Sequence, residues 1–446
     1  MADPRGFLEI ERVEQPEREP HERIADYDDV HERLGAEELS RQGERCMGCG
    51  VPFCLDGCPL GNLIPDWNRL VSDGQWRQAI DQLHATNPFP ELTGLICPAP
   101  CEPACVLSIN DDPVSIEQIE WSIVERAFRE GWVEPRAPVR RSGRSVAVVG
   151  SGPAGMAVAE ELNVRGHRVV VFERDEAPGG LMRFGVPDFK MEKWIIDRRI
   201  ALMEDAGVEF EYGVSVESES DLADGFDALV WAVGARVERR LQVPGAELGG
   251  VHFAMEYLYG RNRWVATAAT APVTAAGKRV VVIGGGDTAA DCVASAHREG
   301  AASVVQLDTY PEPSGTRMFE IADWPEFPKR MPSTYALDEG GERRSALSTT
   351  GILGDDDGRV RAVSTVQVGP PRGFAPVAGS EEDLPADLVL VAIGFTGPED
   401  EALRGSEFAI GPHEFVCGDA RRGASLIVTA IAEGRQCAEM VHQSIG

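Results

Sequence analysis

Residues 145–174 read SVAVVGSGPAGMAVAEELNVRGHRVVVFER. A β-branched run, a glycine turn, a helical pattern and a second β-branched run follow one another, the order of a βαβ unit in a parallel sheet. The turn Gly150-Ser-Gly152-Pro153-Ala154-Gly155 assigns each glycine a task. The first allows the tight turn, the second lets amides approach a pyrophosphate, and the third lets helix and strand pack closely. Glu173 ends the second strand eighteen residues after Gly155, where a carboxylate can accept from an adenosine ribose. Gly180 and Leu181 follow soon after, and backbone that bare suits a flat ring, which favours FAD over NAD at this turn.

A second unit, KRVVVIGGGDTAADCVASAHREG and then ASVVQLD, begins about 130 residues later. Gly284, Gly286 and Ala289 form its turn, Asp287 and Thr288 open its helix, and Asp308 ends its next strand. Two fingerprints in one chain point to two nucleotides, FAD and the NAD(P)H that reduces it. Asp308 favours a free ribose 2′-hydroxyl, whereas Arg317, Lys329 and Arg330 could neutralise a 2′-phosphate. Near the end, Gly418-Asp419 precedes a helical run. Asp419 could bind flavin-linked hydroxyls, and the helix start at Ser425 could offer amides to the ring edge.

Ahead of these units lies a segment of different texture. Seven of the ten cysteines fall between Cys46 and Cys105: C-x2-C-x4-C-x3-C-P at Cys46, Cys49, Cys54 and Cys58, then Cys97, Cys101 and Cys105. Structural zinc needs four ligands and leaves three thiols over, while the Cys-Pro ending fits iron–sulfur spacing in which the last cysteine serves a second cluster. Two [4Fe-4S] clusters need eight ligands. Glu120, on the helix predicted after Cys105, is the candidate for the eighth. Residues 21–45 are helix-compatible, and residues 134–144 read as a linker.

The expected fold class is therefore α/β: a helical iron–sulfur domain (1–140), then an FAD domain in two pieces (141–258 and 380–446) with an NAD(P)H domain inserted (259–379). The formal charge of -30 argues against nucleic acid, and no apolar run approaches a bilayer span, so a cytoplasmic, membrane-free setting is expected. Cys292, Cys417 and Cys437 are far apart in sequence and offer no C-x-x-C redox pair.

Taken together, CMGCGVPFCLDGCPLGN, CPAPCEPACVL, GGLMRFGVPDFKMEK, VVVIGGGDTAADC and DARRGASL resemble the small (beta) subunit of glutamate synthase, whose N-terminal domain is shared with dihydropyrimidine dehydrogenase. The resemblance implies that NAD(P)H reduces FAD here and that two [4Fe-4S] clusters pass electrons to a large (alpha) subunit. That subunit makes glutamate from glutamine and 2-oxoglutarate. It also implies a pairing of ligands: Cys46, Cys49, Cys54 and Cys105 for one cluster, and Cys58, Cys97, Cys101 and Glu120 for the other. An electron-transfer subunit serving another acceptor, such as ferredoxin, polysulfide or a pyrimidine reductase, is the alternative. Hydride transfer needs positioning rather than a general acid or nucleophile, so no catalytic residue is named. The chain departs from the family between Pro398 and Phe415, where it is shorter, and at Thr429, where tryptophan is common.

Overall fold

In a computed structural model of the chain, residues 5–222, 225–312, 315, 322–326, 334–369 and 374–446 are described, and each glycine turn follows a central strand of its own parallel sheet. The first sheet contains β1 (Ser145–Val149), β2 (Arg168–Glu173), β3 (Glu209–Tyr212), β4 (Ala228–Trp231) and β15 (Glu414–Val416). Their spatial order is β15-β4-β1-β2-β3, all parallel. β1 and β4 are almost wholly apolar and buried, as central strands covered on both faces require.

The second sheet holds β6 (Val251–Phe253), β7 (Arg279–Ile283), β8 (Ser303–Leu307), β9 (Glu342–Arg344) and β13 (Leu388–Val391), in the order β6-β13-β7-β8-β9. This pairing moves two edges of the division read from sequence. β13 lies between β6 and β7, so residues 388–391, placed with the FAD piece 380–446, belong to the second sheet. β6 and the helix Ala254–Thr267 go with them, although the sequence reading assigns 251–258 to the FAD piece 141–258. The physical reason is that a run such as LVLV suits any central parallel strand, and its partner is set by non-local pairing.

A three-stranded antiparallel sheet of β10 (Leu347–Gly354), β11 (Val360–Gln367) and β12 (Glu382–Pro385) extends from the second sheet. A ribbon of β5 (Val237–Glu238) and β14 (Phe395–Gly397) carries the chain between the two parallel sheets.

The N-terminal region is helical, built on Ala36–Glu44, Ile64–Ser72, Trp76–His84, Pro90–Ile96 and Ile116–Arg129. Residues 21–45 do not form one helix. Only Pro20–Arg23 and Ala36–Glu44 are helical, because Asp26 and Asp29 accept from the backbone amides of Asp28 and His31 and fix turns between them.

One apolar core runs from Trp67, Leu83, Phe89 and Ile119 through Val146, Val158 and Ile196 to Ile431 and Val441, joining the helical region to the first sheet. Glu91 and Arg199 cross that junction as a fully buried bidentate pair. Among the described residues no helix is long and apolar enough to cross a membrane.

His84 lies at the same junction, its Nε2 buried without a hydrogen-bond partner. Burial, reinforced by the Arg199 charge, lowers its pKa to about 4. The folded protein therefore holds a neutral imidazole that the unfolded chain protonates near pH 6.5. This contribution to stability is complete above pH 6.5 and declines as pH falls toward 4. Denaturant titrations are expected to show a loss on the order of 2 kcal/mol between pH 6.5 and 5, and His84→Gln should remove that part of the slope.

Candidate functional site

The first glycine turn is shaped by contacts that leave no room for side chains. Gly150 has φ +105°, and a Cβ on it would stand 2.5 Å from the Ala232 carbonyl oxygen. A Cβ on Gly155 would stand 1.9 Å from the Gly150 carbonyl oxygen. Gly152 is the open N-cap of the helix Pro153–Val164, its surroundings clear. Glu173 accepts from both the amide and the hydroxyl of Ser151, and the Ser151 hydroxyl in turn accepts from the Gly179 amide.

These residues open onto a cavity of ≈ 980 Å³. Gly150, Gly152, Pro153, Ala154, Glu173, Gly180, Leu181, Asp419 and Ser425 all line it. The volume lies at the upper end of the range for small-molecule sites and suits an elongated dinucleotide. Gly155 and Gly418 stand behind the wall as packing positions, a Cβ on Gly418 meeting that of Ala154 at 2.6 Å. The Gly418 amide donates to Glu433, which also pairs with Arg421 and Arg422 and so fixes the Gly418-Asp419 corner. Ser425 donates to the Asp419 carboxylate, whose pKa burial raises to about 6. Trp231–Arg236 and the 214–219 loop complete the wall and were not singled out from sequence. The shortened stretch after Pro398 contributes Glu399, Asp400, Leu403 and Ile410.

At the second turn, Gly284 has φ +145° and a Cβ there would meet the Ala392 carbonyl oxygen at 2.1 Å. Gly286 caps the helix Asp287–Arg298, with Asp287 and Thr288 in its first turn and Ala289 buried beneath. A Cβ on Gly285 would fall 1.8 Å from Asp308 Oδ2, so the carboxylate rests directly against the turn. Arg317, Lys329 and Arg330 lie outside the described residues.

The cysteines separate into two cavities. Cys46, Cys49, Cys54 and Cys105 line one; Cys58, Cys97 and Cys101 line the other with Glu117 and Glu120. Gly57 brings the two cysteine segments together, since a Cβ on it would meet Ala104 Cβ at 2.6 Å. Gly94 packs against the Trp121 backbone, closing the helices Pro90–Ile96 and Ile116–Arg129 until Thr93 and Asn87 (3.1 Å) reach the Glu120 carboxylate.

Burial pushes the thiols up, Cys46 and Cys58 to about 11, Cys54 to about 12, and Cys97 and Cys101 well above the usual thiol value; it raises Glu120 to about 7 despite the hydrogen bonds from Thr93 and Asn87. Buried sulfur and carboxylate donors of this kind fit a cationic centre that takes them ionised. Among the described residues no three such groups converge as ligands of one ion do. A cluster asks something different, one protein ligand for each of its irons. Glu117 was not picked out from sequence, its spacing being that of an ordinary helix-face residue.

The two kinds of cavity adjoin. Ile96 lines the large cavity and Cys97 the inner cysteine cavity; Ile427 and Ala430 line the large one and Val428 the inner one. The outer cavity lies toward solvent, with Cys46 and Cys49 half-buried and Met47 and Val51 37% and 66% exposed. Trp324 reaches it from the second nucleotide unit, donating to the Cys105 carbonyl (3.0 Å) and packing on Phe53. Cys417 and Cys437, distant in sequence, meet in the core as hydrogen-bonded thiols.

Two family profiles match the chain: dihydropyrimidine dehydrogenase domain II, 4Fe-4S cluster, over residues 23–132, and pyridine nucleotide-disulphide oxidoreductase, over residues 144–326. Among curated relatives, the glutamate synthase [NADPH] small chain of Mycobacterium tuberculosis is 49% identical over 99% of this chain and 96% of its own. The glutamate synthase [NADH] of Schizosaccharomyces pombe is 40% identical over 98% of this chain and 22% of its own length. Among solved structures, M. tuberculosis FprA in complex with NADPH aligns with a TM-score of 0.54 at 21% identity, over 68% of this chain and 84% of that one, a likeness of fold.

Proposed function

The chain belongs to the glutamate synthase small-chain family, and from that premise we propose an assignment of its sites and of its partner. It is an FAD- and iron–sulfur-dependent NAD(P)H oxidoreductase, the electron-input subunit of glutamate synthase. The flavin, when bound, supplies the conversion between two-electron hydride chemistry and one-electron transfer.

The large cavity is the flavin site. Amides of the Gly150–Gly155 turn and the start of the helix Pro153–Val164 face the pyrophosphate, Glu173 the adenosine ribose, and Asp419 the linking hydroxyls. Gly180 and Leu181 offer bare backbone to the ring, and Ser425 orients Asp419. The turn at Gly284, Gly286, Asp287, Thr288 and Ala289, with Asp308, receives the nicotinamide dinucleotide. Cys58, Cys97, Cys101 and Glu120 hold an inner [4Fe-4S] cluster, and Cys46, Cys49, Cys54 and Cys105 an outer one.

The observation that carries this reading is the shared wall. Ile96–Cys97 and Ile427–Val428 each turn one residue to the large cavity and the next to the inner cysteines. Electrons then leave by the outer cavity, whose exposed rim at Met47 and Val51 meets the large subunit. A cytoplasmic setting, where thiols stay reduced, suits these ligands.

The test is made under anaerobic conditions with flavin-loaded protein. NAD(P)H should reduce an artificial dye with this chain alone, while glutamate should form from glutamine and 2-oxoglutarate only after a glutamate synthase large subunit is added. Dye reduction without glutamate in any such pairing would overturn the assignment of partner.

A further inference from the structure

Arg45 closes the helix Ala36–Glu44 and stands one residue before Cys46. It is 1% exposed and lines the outer cavity with Cys46, Cys49, Cys54 and Cys105. Its guanidinium donates from Nη1 to the Ile10 carbonyl and from Nη2 to the Asp112 carbonyl (2.6 Å), while Nε is buried without a hydrogen-bond partner. The two bonds tie Ile10 and Asp112 to the start of the cysteine segment and hold the charge in place.

A buried charge without a counter-charge is strongly unfavourable. The other buried arginines among the described residues each meet a carboxylate: Arg23 those of Glu17 and Glu339, Arg199 that of Glu91, and Arg261 that of Glu299. Arg45 meets none at ion-pair distance among the described residues. Asp111 and Asp112 act on it from farther away, and the like charge of Arg12 opposes them. Neutral donors would serve its two carbonyl partners, so those bonds alone do not call for a cation. Four thiolates around an iron–sulfur core would supply the missing negative charge, and an added electron increases it. The inner cavity differs in this respect, since among the described residues no lysine or arginine lines it.

We propose that Arg45 is the counter-charge of the outer cluster and favours its reduced form, so that the outer centre accepts an electron more readily than its four thiolates alone would allow. The inference rests on the two cysteine cavities holding clusters, as argued above. In the step concerned one electron passes from the inner centre, which is oxidised, to the outer centre, which is reduced, and no proton is exchanged. A fixed cation at the receiving end favours that direction. Arginine suits the place because its guanidinium keeps its proton across the working pH range.

The test is potentiometry of the full chain purified without air, with the reduced clusters followed by paramagnetic resonance and iron and acid-labile sulfide measured per chain. The outer signal is the one that Cys101→Ala retains. Arg45→Gln, which keeps donors and loses the charge, should lower the equilibrium constant for reducing the outer cluster about tenfold, about 59 mV for one electron, and leave the inner midpoint in place. Arg45→Lys, which keeps the charge, should hold the outer midpoint near that of the wild type. An unchanged outer midpoint in Arg45→Gln, an equal fall in Arg45→Lys, or an equal shift of both clusters would each overturn the proposal. Should Arg45→Gln lose the outer cluster, its retention in Arg45→Lys at the wild-type midpoint would uphold the need for charge; loss there too, or a lowered midpoint, would leave Arg45 a scaffold alone and overturn the proposal. A wild type devoid of iron and sulfide would instead overturn the reading of the cysteines beneath it.

Discussion

Gly155→Ala is expected to cost the protein its flavin. The added methyl carbon would stand 1.9 Å from the Gly150 carbonyl oxygen, a backbone atom with no rotamer to yield. Relief requires the helix Pro153–Val164 to move off β1. That helix is held on its other side, where a Cβ on Gly434 of the C-terminal helix would already meet the Ala154 carbonyl oxygen at 2.4 Å. Overpacking of this kind costs about 1–3 kcal/mol. The larger loss is of alignment, since the amides proposed to face the pyrophosphate ride on the displaced segment. Affinity for flavin should fall at least about tenfold, the factor that 1.4 kcal/mol brings, and the flavin kept through gel filtration should fall with it. The measurement is flavin absorbance per protein after gel filtration, with circular dichroism to verify that the fold persists. The second turn supplies the contrast, because Ala289 already fills the corresponding place there and is fully buried. A Gly155→Ala protein that stays fully yellow would show that the close approach has no part in holding flavin.

The second large effect concerns Cys101. It lines the inner cavity, beside Cys58, Cys97 and Glu120, and the neighbouring Cys97 and Val428 form the wall shared with the large cavity. On the proposed assignment, Cys101→Ala removes a ligand from the centre that electrons leaving the large cavity meet first. Losing an orienting neighbour of a ligand costs metal sites about 10–100-fold, so losing the ligand itself should cost glutamate formation with the large subunit more than about 100-fold. Dye reduction by NAD(P)H, which draws on the large cavity, should persist. Paramagnetic resonance of the dithionite-reduced protein should show one cluster's signal diminished and the other's retained. The reverse result, dye reduction lost and glutamate formation kept, would place the inner cysteines off the electron path.

The glycine turns were legible because their constraint is local: Gly150, Gly155 and Gly284 are dictated by carbonyl oxygens brought close by the strand–turn–helix path itself. Asp419 and Ser425 were legible for a related reason, both lying at one strand-to-helix corner. The grouping of the cysteines came with the family resemblance, and the packing that produces it is non-local. Gly57 against Ala104 and Gly94 against Trp121 fold the second cysteine segment onto the first, and nothing in the spacing of either segment announces those contacts. The same holds for β13, whose LVLV run carries no mark of the sheet it joins, and for Cys417 and Cys437, which only the docking of the C-terminal helix brings into contact. Trp324 escaped notice because its partners, Cys105 and Phe53, are more than two hundred residues away.

The continuous core between the helical region and the first sheet has a consequence for how this protein is dismantled. With Phe89, Ile119, Val158 and Ile431 in one apolar body and Glu91 locked to Arg199, the first 130 residues cannot be cut free as a working cassette. Severing them would bare the sides of both bodies and strand a charge at the break. Protease nicking in the exposed 134–144 connection should therefore leave the two pieces associated, and wholesale melting of either should take the other with it.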